Sequence, residues 1–365
     1  MIYRFSELFT WSSGKSGERS DGPYPLYGSN GVIGLSDNAP YENKIILGRV
    51  GAYCGSVVFE PGLFDASDNT LITTCDEKLL DYKYAYYLLT QYNLNSFAGG
   101  AAQPVITQGI LKHLKCDIPN KTKQIEVANT LSKYDRLIDL NNKRIKLLEQ
   151  TAQEIYKEWF VRFRFPEHEN AEFINGTPYG WIYGKIDNAR YPKKWHYGFL
   201  NELGTFARGK NITASEMVEG DIPVISAGLE PSGYHNKANV FGRSITVSAS
   251  GANAGYLKYN LSDIWCADSS YYQNNDNLWF VYSSLKFIQP VLSNLQVGSA
   301  QPHVYPKNLN KLNIIIPEKK YIEEYCNIVE PMFSEIAILK ENNINHIKQR
   351  DYLLPRLLSG KLEVE

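Results

Sequence analysis

The sequence predicts an α+β protein in which strands and helices are mixed inside two similar modules, each followed by a long helix. Three observations lead there. Ala102-Gln103-Pro104 recurs as Ala300-Gln301-Pro302, 198 residues later. Upstream, Gly51-Ala52-Tyr53-Cys54-Gly55 is answered by Gly251-Ala252-Asn253-Ala254-Gly255. Each copy then closes on a short run that ends in Ile-Pro, Asp117-Ile118-Pro119 and Ile315-Ile316-Pro317, and enters a helical stretch. A duplicated module carrying a duplicated helix implies two similar surfaces, which suits a two-part target better than one catalytic pocket.

Within the first module, Ile45–Gly48 and Ser56–Phe59 flank a glycine-bearing turn and read as strands, as does Asn69–Thr73. Tyr82–Tyr92 reads as a helix, and Lys112–Ile118 as a strand stopped by Pro119. The second module repeats this grammar. Pro223–Ser226, Ser244–Ser248 and Tyr256–Tyr259 are strand candidates, Phe280–Leu295 is a helix that Pro290 can interrupt, and Asn313–Ile316 is the closing strand.

Helical periodicity is clearest from Lys121 to Val161. Leu131, Tyr134, Ile138, Asn141, Ile145, Leu148, Ala152, Ile155 and Trp159 follow unbroken steps of three and four. This heptad spacing predicts a coiled-coil seam, with Asn141 as a polar residue able to fix register; an ordinary long amphipathic helix is the alternative. Shifting the pattern by 198 gives Val329, Met332, Ile336, Leu339, Asn343, His346, Arg350, Leu353 and Leu357. Ile344 and Ile347 lie beside that register, so the second stripe is expected to drift, and Pro355 to kink or end the helix; Ile347 and Leu354 are counted with the spacer residues. A helix of this size spans about 50–60 Å at roughly 1.5 Å per residue. The expected boundaries are residues 1–118, 119–163 (helical), 164–195 (linker), 196–316 and 317–365 (helical with a tail).

The chain of 365 residues has room for two cores, and 43% hydrophobic with 21% charged residues is a globular composition. Its five cysteines are scattered, without the spacing of a zinc site or the even count of a disulfide framework, which points to the reducing cytoplasm. No stretch approaches 18 consecutive apolar residues, so no membrane association is expected. The net charge of −1 argues against indiscriminate coating of nucleic acid but allows a local basic face.

Several motifs imitate catalytic ones. Gly204-Thr205-Phe206-Ala207-Arg208-Gly209-Lys210-Asn211 nearly matches a phosphate-binding loop but ends in Asn where Ser or Thr would meet magnesium. Asn38-Ala39-Pro40-Tyr41 falls one residue short of an amino-methyltransferase loop and reads as a turn. Asp65, Asp68, Asp263 and Asp268 suit loop caps, and His113, His196, His235, His303 and His346 have no metal-ligand spacing. No catalytic residue and no metal site is expected in this chain.

The ordered duplication resembles the specificity (HsdS) subunit of type I restriction-modification systems. The carrying residues are Gly99–Pro104 before Ile118-Pro119, Gly298–Pro302 before Ile316-Pro317, the Gln124–Trp159 helix, and the terminal Leu354-Pro355-Arg356-Leu357-Leu358-Ser359-Gly360-Lys361-Leu362. The resemblance covers nearly the whole chain. It implies two target-recognition domains, each reading half of a bipartite double-stranded DNA sequence, separated by two antiparallel coiled-coil helices with a pseudo-two-fold internal repeat. It also implies modification subunits, two HsdM, that methylate adenine with S-adenosylmethionine, and HsdR restriction subunits that use ATP and Mg. All three small molecules are expected on the partners and none on this chain. A non-reading assembly scaffold and a stand-alone DNA-modifying enzyme are the competing accounts.

Sequence reading requires polar side chains at base edges and cations on phosphates. The candidates are Lys15, Arg19, Lys44, Arg49, Tyr53 and Gln103 in the first module, and Arg208, Lys210, Arg243, Asn253, Lys258, Gln301 and His303 in the second. Replacing Arg49 or Arg243 is expected to weaken DNA binding.

Overall fold

Tyr41–Gly48 and Thr70–Cys75 carry consecutive apolar residues and pair as strands buried on both faces, with Ile45, Leu47 and Leu71 beneath a helix and Ile46 and Ile72 on the opposite face. The computed structural model describes residues 2–15, 17–100, 103–175, 190–294 and 303–363. The chain divides into two units, residues 1–141 with 342–365, and residues 142–341.

The strands of the first unit are β1 (Ile2–Arg4), β2 (Phe9–Ser13), β3 (Tyr24–Gly28), β4 (Gly31–Ser36), β5 (Tyr41–Gly48), β6 (Val57–Ala66), β7 (Thr70–Cys75) and β8 (Lys115–Asp117). Its helices are α1 (Phe5–Leu8), α2 (Tyr82–Gln91), α3 (Gln108–Lys112) and the beginning of α4 (Lys121–Tyr156). Six strands form one sheet in the order β2-β7-β5-β6-β3-β4, while β1 pairs with β8. The core joins Phe5, Leu8, Tyr84 and Leu89 to Val127 and Leu131 of α4. Leu357, from the far end of the chain, belongs to the same core, with Leu353, Leu354 and Leu358 packed on it. The strand expected over Lys112–Ile118 starts only at Lys115. The preceding residues form α3, whose first turn is capped by the Thr107 hydroxyl accepting from the Ile110 N–H.

The second unit contains β9 (Phe173–Asn175), β10 (Arg190–Pro192), β11 (His196–Phe199), β12 (Ala207–Arg208), β13 (Ile222–Ile225), β14 (Gly233–His235), β15 (Ser244–Ser248), β16 (Leu257–Asn260), β17 (Trp265–Cys266), β18 (Ser269–Tyr272) and β19 (Asn313–Ile316). Its short helices are α5 (Leu278–Phe287), α6 (Gln289–Asn294) and α7 (Pro306–Leu309), and α8 (Lys319–Leu358) follows. The sheets β12-β18-β15-β16 and β14-β13-β17 reproduce the six-strand order of the first unit. The parallel pairing of Leu26 with Asp65 has its counterpart in Val224 with Trp265. The long β6 is therefore represented by two shorter strands, β16 and β17. The break between α5 and α6 falls at Ile288, and Pro290 sits in the first turn of α6, where a missing N–H costs little.

In each unit the portions of α4 and α8 pack as an antiparallel pair. Asp135 meets Arg350 at 2.6 Å and Asn141 meets Asn343 at 2.8 Å in the first unit. Arg144 pairs with Glu335, and the Tyr325 hydroxyl donates to the Ala152 carbonyl at 3.0 Å, in the second. Every seam position from Leu131 to Trp159, and from Val329 to Leu357, is buried or half-buried. The expected drift is absent: Ile344 and Ile347 stay 53% and 40% exposed, while Asn343 is buried. Asn343 and Arg350 hold this stretch of seam because each meets a polar partner on the other helix, Asn141 and Asp135, which offsets the gain from rotating the isoleucines inward. The helix runs on through Pro355 to Leu358, so the proline does not end it early. Only the bond to the carbonyl of exposed Asp351 is forfeited, and the Pro355 carbonyl still accepts from Ser359 at 3.1 Å.

Candidate nucleic-acid interface

The repeated glycine motifs build the same turn twice. Gly51 and Gly251 adopt φ of 77° and 72°, and Gly55 and Gly255 adopt 88° and 85°, a region that residues with a side chain rarely enter. The Cys54 N–H donates to the Gly51 carbonyl and the Ala254 N–H to that of Gly251, both at 3.0 Å. Each turn closes when its second glycine donates to the preceding strand, Gly55 to Gly48 and Gly255 to Ser248, both at 2.8 Å.

The second repeated motif lies directly against this turn. The Gly51 N–H donates to the Pro104 carbonyl at 3.0 Å, and Ile106 donates to Arg49 at 2.9 Å. In the second unit Val304 donates to Ala249 at 2.9 Å, and Ser250 bridges His303. A third segment joins them: Gly14 donates to Thr70 at 3.1 Å and Gly209 to Ser269 at 2.9 Å. Neither glycine tolerates a side chain, since a Cβ would fall 2.1 Å from the Ser67 carbonyl or 2.4 Å from that of Ala267. Both units thus gather three loops at one end of the sheet strands, forming a loop edge.

This edge collects Lys15, Arg49, Tyr53 and Gln103 in the first unit, and Arg208, Lys210, Asn253 and His303 in the second. Lys15, Tyr53, Gln103, Arg208 and Lys210 are exposed. The Nε of Arg49 is buried without a hydrogen-bond partner, and His303 stacks on Tyr305 at a centroid distance of 5.7 Å. Gln301 lies outside the described residues, as does the Ala300-Gln301-Pro302 repeat itself.

Other candidates are placed elsewhere. Arg19 is exposed and its stem covers Gly34 in β4. Lys44 donates to the Tyr82 hydroxyl at 3.0 Å, which ties β5 to α2. Arg243 is engaged with α8, pairing with Glu330 and donating to the Ser334 hydroxyl at 3.1 Å. Both cations therefore have partners on helices, away from the glycine turns. Lys258 is half-buried on β16, and burial holds its ammonium below the ordinary lysine value, opposed by the charge of Glu230.

Sequence reasoning missed the side chains that support the edge. Asn95 donates to the Cys54 carbonyl at 2.9 Å, and Gln289 to the Gly255 carbonyl at 2.8 Å, so an amide from a corresponding region clamps each turn. Asp268 also escaped notice as a partner: it accepts from Arg208 and from the Ser250 hydroxyl. Its place at the start of the strand matching β7 was the available signal. The other aspartates have structural uses, Asp65 accepting from Ser36 at 2.9 Å and Asp263 from the Gly242 N–H at 2.7 Å. Among the described residues no group of three or more His, Cys, Asp or Glu could hold a metal ion.

A twice-built α+β unit, with matching loop edges and helices paired antiparallel, defines an internally duplicated recognition protein. A family model described as "Type I restriction modification DNA specificity domain" matches residues 3–150 and 192–349. The MjaIX specificity subunit of Methanocaldococcus jannaschii is 27% identical over 304 residues, covering 78% of this chain and 69% of that protein. The HindI specificity subunit of Haemophilus influenzae is 24% identical over 335 residues, covering 71% of each. The crystal structure of a type I restriction-modification S subunit from M. genitalium shares the fold, with a TM-score of 0.59 at 21% identity, over 98% of this chain and 96% of that one. The chain belongs to the type I restriction-modification DNA specificity family. Its role is that of the DNA-specificity subunit, a non-catalytic component of a type I complex.

Proposed function

We propose that each loop edge reads one half of a bipartite duplex DNA target, and that α4 and α8 set the number of bases between the halves. The observation that carries this reading is the second construction of one edge: the same positive-φ turn, the same apposed loop and the same glycine contact, bearing different side chains. A shared scaffold with divergent surface residues is what two readers of unlike half-sites require. The proposed reading modules are residues 1–118 and 196–316, with helical regions at 119–163 and 317–365 and a linker at 164–195. Lys15, Arg49, Tyr53, Gln103, Arg208, Lys210, Asn253, Gln301 and His303 are the proposed contact residues.

The paired helices would dock two modification subunits, with restriction subunits joining the assembly. S-adenosylmethionine, ATP and Mg would be bound by those partners, in the cytoplasm. Among the described residues no helix is long and apolar enough to cross a membrane. The test is methylome sequencing of a methylation-free host expressing the chain with its modification subunits. Two short motifs separated by a fixed number of unspecified bases are expected. Methylation without such a motif would favour the assembly scaffold, and modification by the purified chain alone would favour a stand-alone enzyme.

A further inference from the structure

We propose that Arg208 reads a guanine in one half-site and that Asp268 is the residue that positions it. The proposal rests on the base-reading function given above and names a base and its readers. Arg208 ends β12, immediately before the Gly209-Lys210 segment that lies against β18. Asp268 accepts from one terminal nitrogen of the guanidinium and from the Ser250 hydroxyl, and Ser250 precedes the Gly251 turn and bridges His303. The carboxylate therefore ties the arginine to the other two loops of the edge, and the Arg208 side chain remains 38% exposed. Its other nitrogens have no acceptor among the described residues.

A guanidinium tethered at one terminal nitrogen by a carboxylate, itself held by Ser250, still offers a pair of N–H groups to a ligand. That pair matches the O6 and N7 acceptors of guanine in the major groove. The same pair would be a poor phosphate anchor, because the adjacent carboxylate cancels its charge and repels the phosphate oxygens. Lys210, two residues on and exposed, is the better cation for the backbone.

The first unit lacks this device. Gly14 donates to Thr70 as Gly209 does to Ser269, and Arg49 donates to Asn69 as Ala249 does to Asp268. These bonds place Ser13 and Asn69 where the second unit has Arg208 and Asp268. The first edge has its own arginine at Arg49, where the second has alanine. The two edges therefore present their guanidinium groups from different strands, and the Arg208–Asp268 reader serves only one half-site.

The experiment compares methylomes of the reconstituted complex carrying the native chain, Arg208→Ala, Arg208→Lys, Asp268→Asn and Lys210→Ala. The native complex should show an invariant guanine in one half-site. Arg208→Ala and Arg208→Lys should each relax that position, lowering its preference for guanine by roughly ten- to a hundredfold, with the other half-site and the spacing retained. Asp268→Asn should relax the same position to a smaller extent, and Lys210→Ala should weaken methylation evenly across sites. An unchanged motif in both Arg208 variants, or an even loss at every position, would overturn the assignment while leaving bipartite reading intact. A native methylome without two half-sites would instead overturn the reading on which the assignment rests. Arg208→Lys keeps the charge and serves if Arg208→Ala does not assemble.

Discussion

The side-chain amide of Asn141 donates to the side-chain oxygen of Asn343 at 2.8 Å, joining α4 to α8 through two polar residues on an otherwise largely apolar seam. Both occupy positions where a coiled coil carries its packing residues. A hydrogen-bonded amide pair there sacrifices burial energy and fixes one register. Asp135 with Arg350, and the Tyr134 ring beside that of His346, extend the polar section of the same seam.

Replacing Asn141 with Leu should destabilise the first unit by about 1–2 kcal/mol, because the partner amide loses a bond in a confined site. Changing both Asn141 and Asn343 to Leu should restore or raise the melting temperature while broadening the unfolding transition, as alternative registers become competitive. Calorimetry of the single and double variants separates these outcomes. A double variant less stable than Asn141→Leu would contradict the account.

Arg243 gives a prediction with a pH signature. Burial alone would raise the Glu330 carboxyl, but hydrogen bonds from the Trp279 indole, Arg243 and Ser334, with the charge of Arg243, hold it below the usual 4.5. A carboxyl whose folded value is depressed contributes stability above its unfolded value and loses it as pH falls through the folded one. The melting temperature of the native chain should therefore fall on acidification below about pH 4.5. That fall should be shallower in Glu330→Gln. Arg243→Met should lower the melting temperature and leave the methylated motif unchanged; an altered motif would return Arg243 to the reading edge.

The cysteines should be chemically quiet. All five are free and buried; burial pushes the thiols of Cys75, Cys116 and Cys266 up to about 12 and that of Cys326 up to about 11. The thiolate is the reactive species, so alkylation of the folded chain at pH 8 should be slow at every site and rapid after denaturation. Fast labelling of any of these four in the folded protein would contradict their placement.

Inserting four residues, one helical turn, into α4 beside Asn141 should change the preferred spacing between half-sites without altering either half-site. Methylome sequencing reads both quantities at once. An unchanged spacing in a folded variant would remove the helices from any role in measuring the target.

The duplication, the helix pair and the central strands of each sheet are legible in the sequence because they rest on local signals, whereas the short and outer strands are not. Glycines at positive φ, period-two strands and heptads need no knowledge of distant partners. What escaped was decided by tertiary partners. Arg243 and Lys44 carry the same charge as Lys15, and only the fold shows that Glu330 and the Tyr82 hydroxyl have claimed them. The seam was misjudged for a similar reason. Ile344 looks like a better core residue than Asn343 until Asn141 is found opposite. The rule that proline kinks or ends a helix holds for helix interiors, whereas Pro355 stands in a last turn whose forfeited bond is exposed.

Leu357 is buried in the core that also contains Phe5 and Leu131, so the first unit draws its packing from segments more than 200 residues apart. During synthesis, the ribosome releases the β-sheet of that unit long before it delivers the leucines that close its floor. Residues 142–341, contiguous in the chain, can mature while that gap is still open. The half made first is thus the half finished last, and a truncation that removes Leu353 to Leu358 would strike the amino-terminal unit.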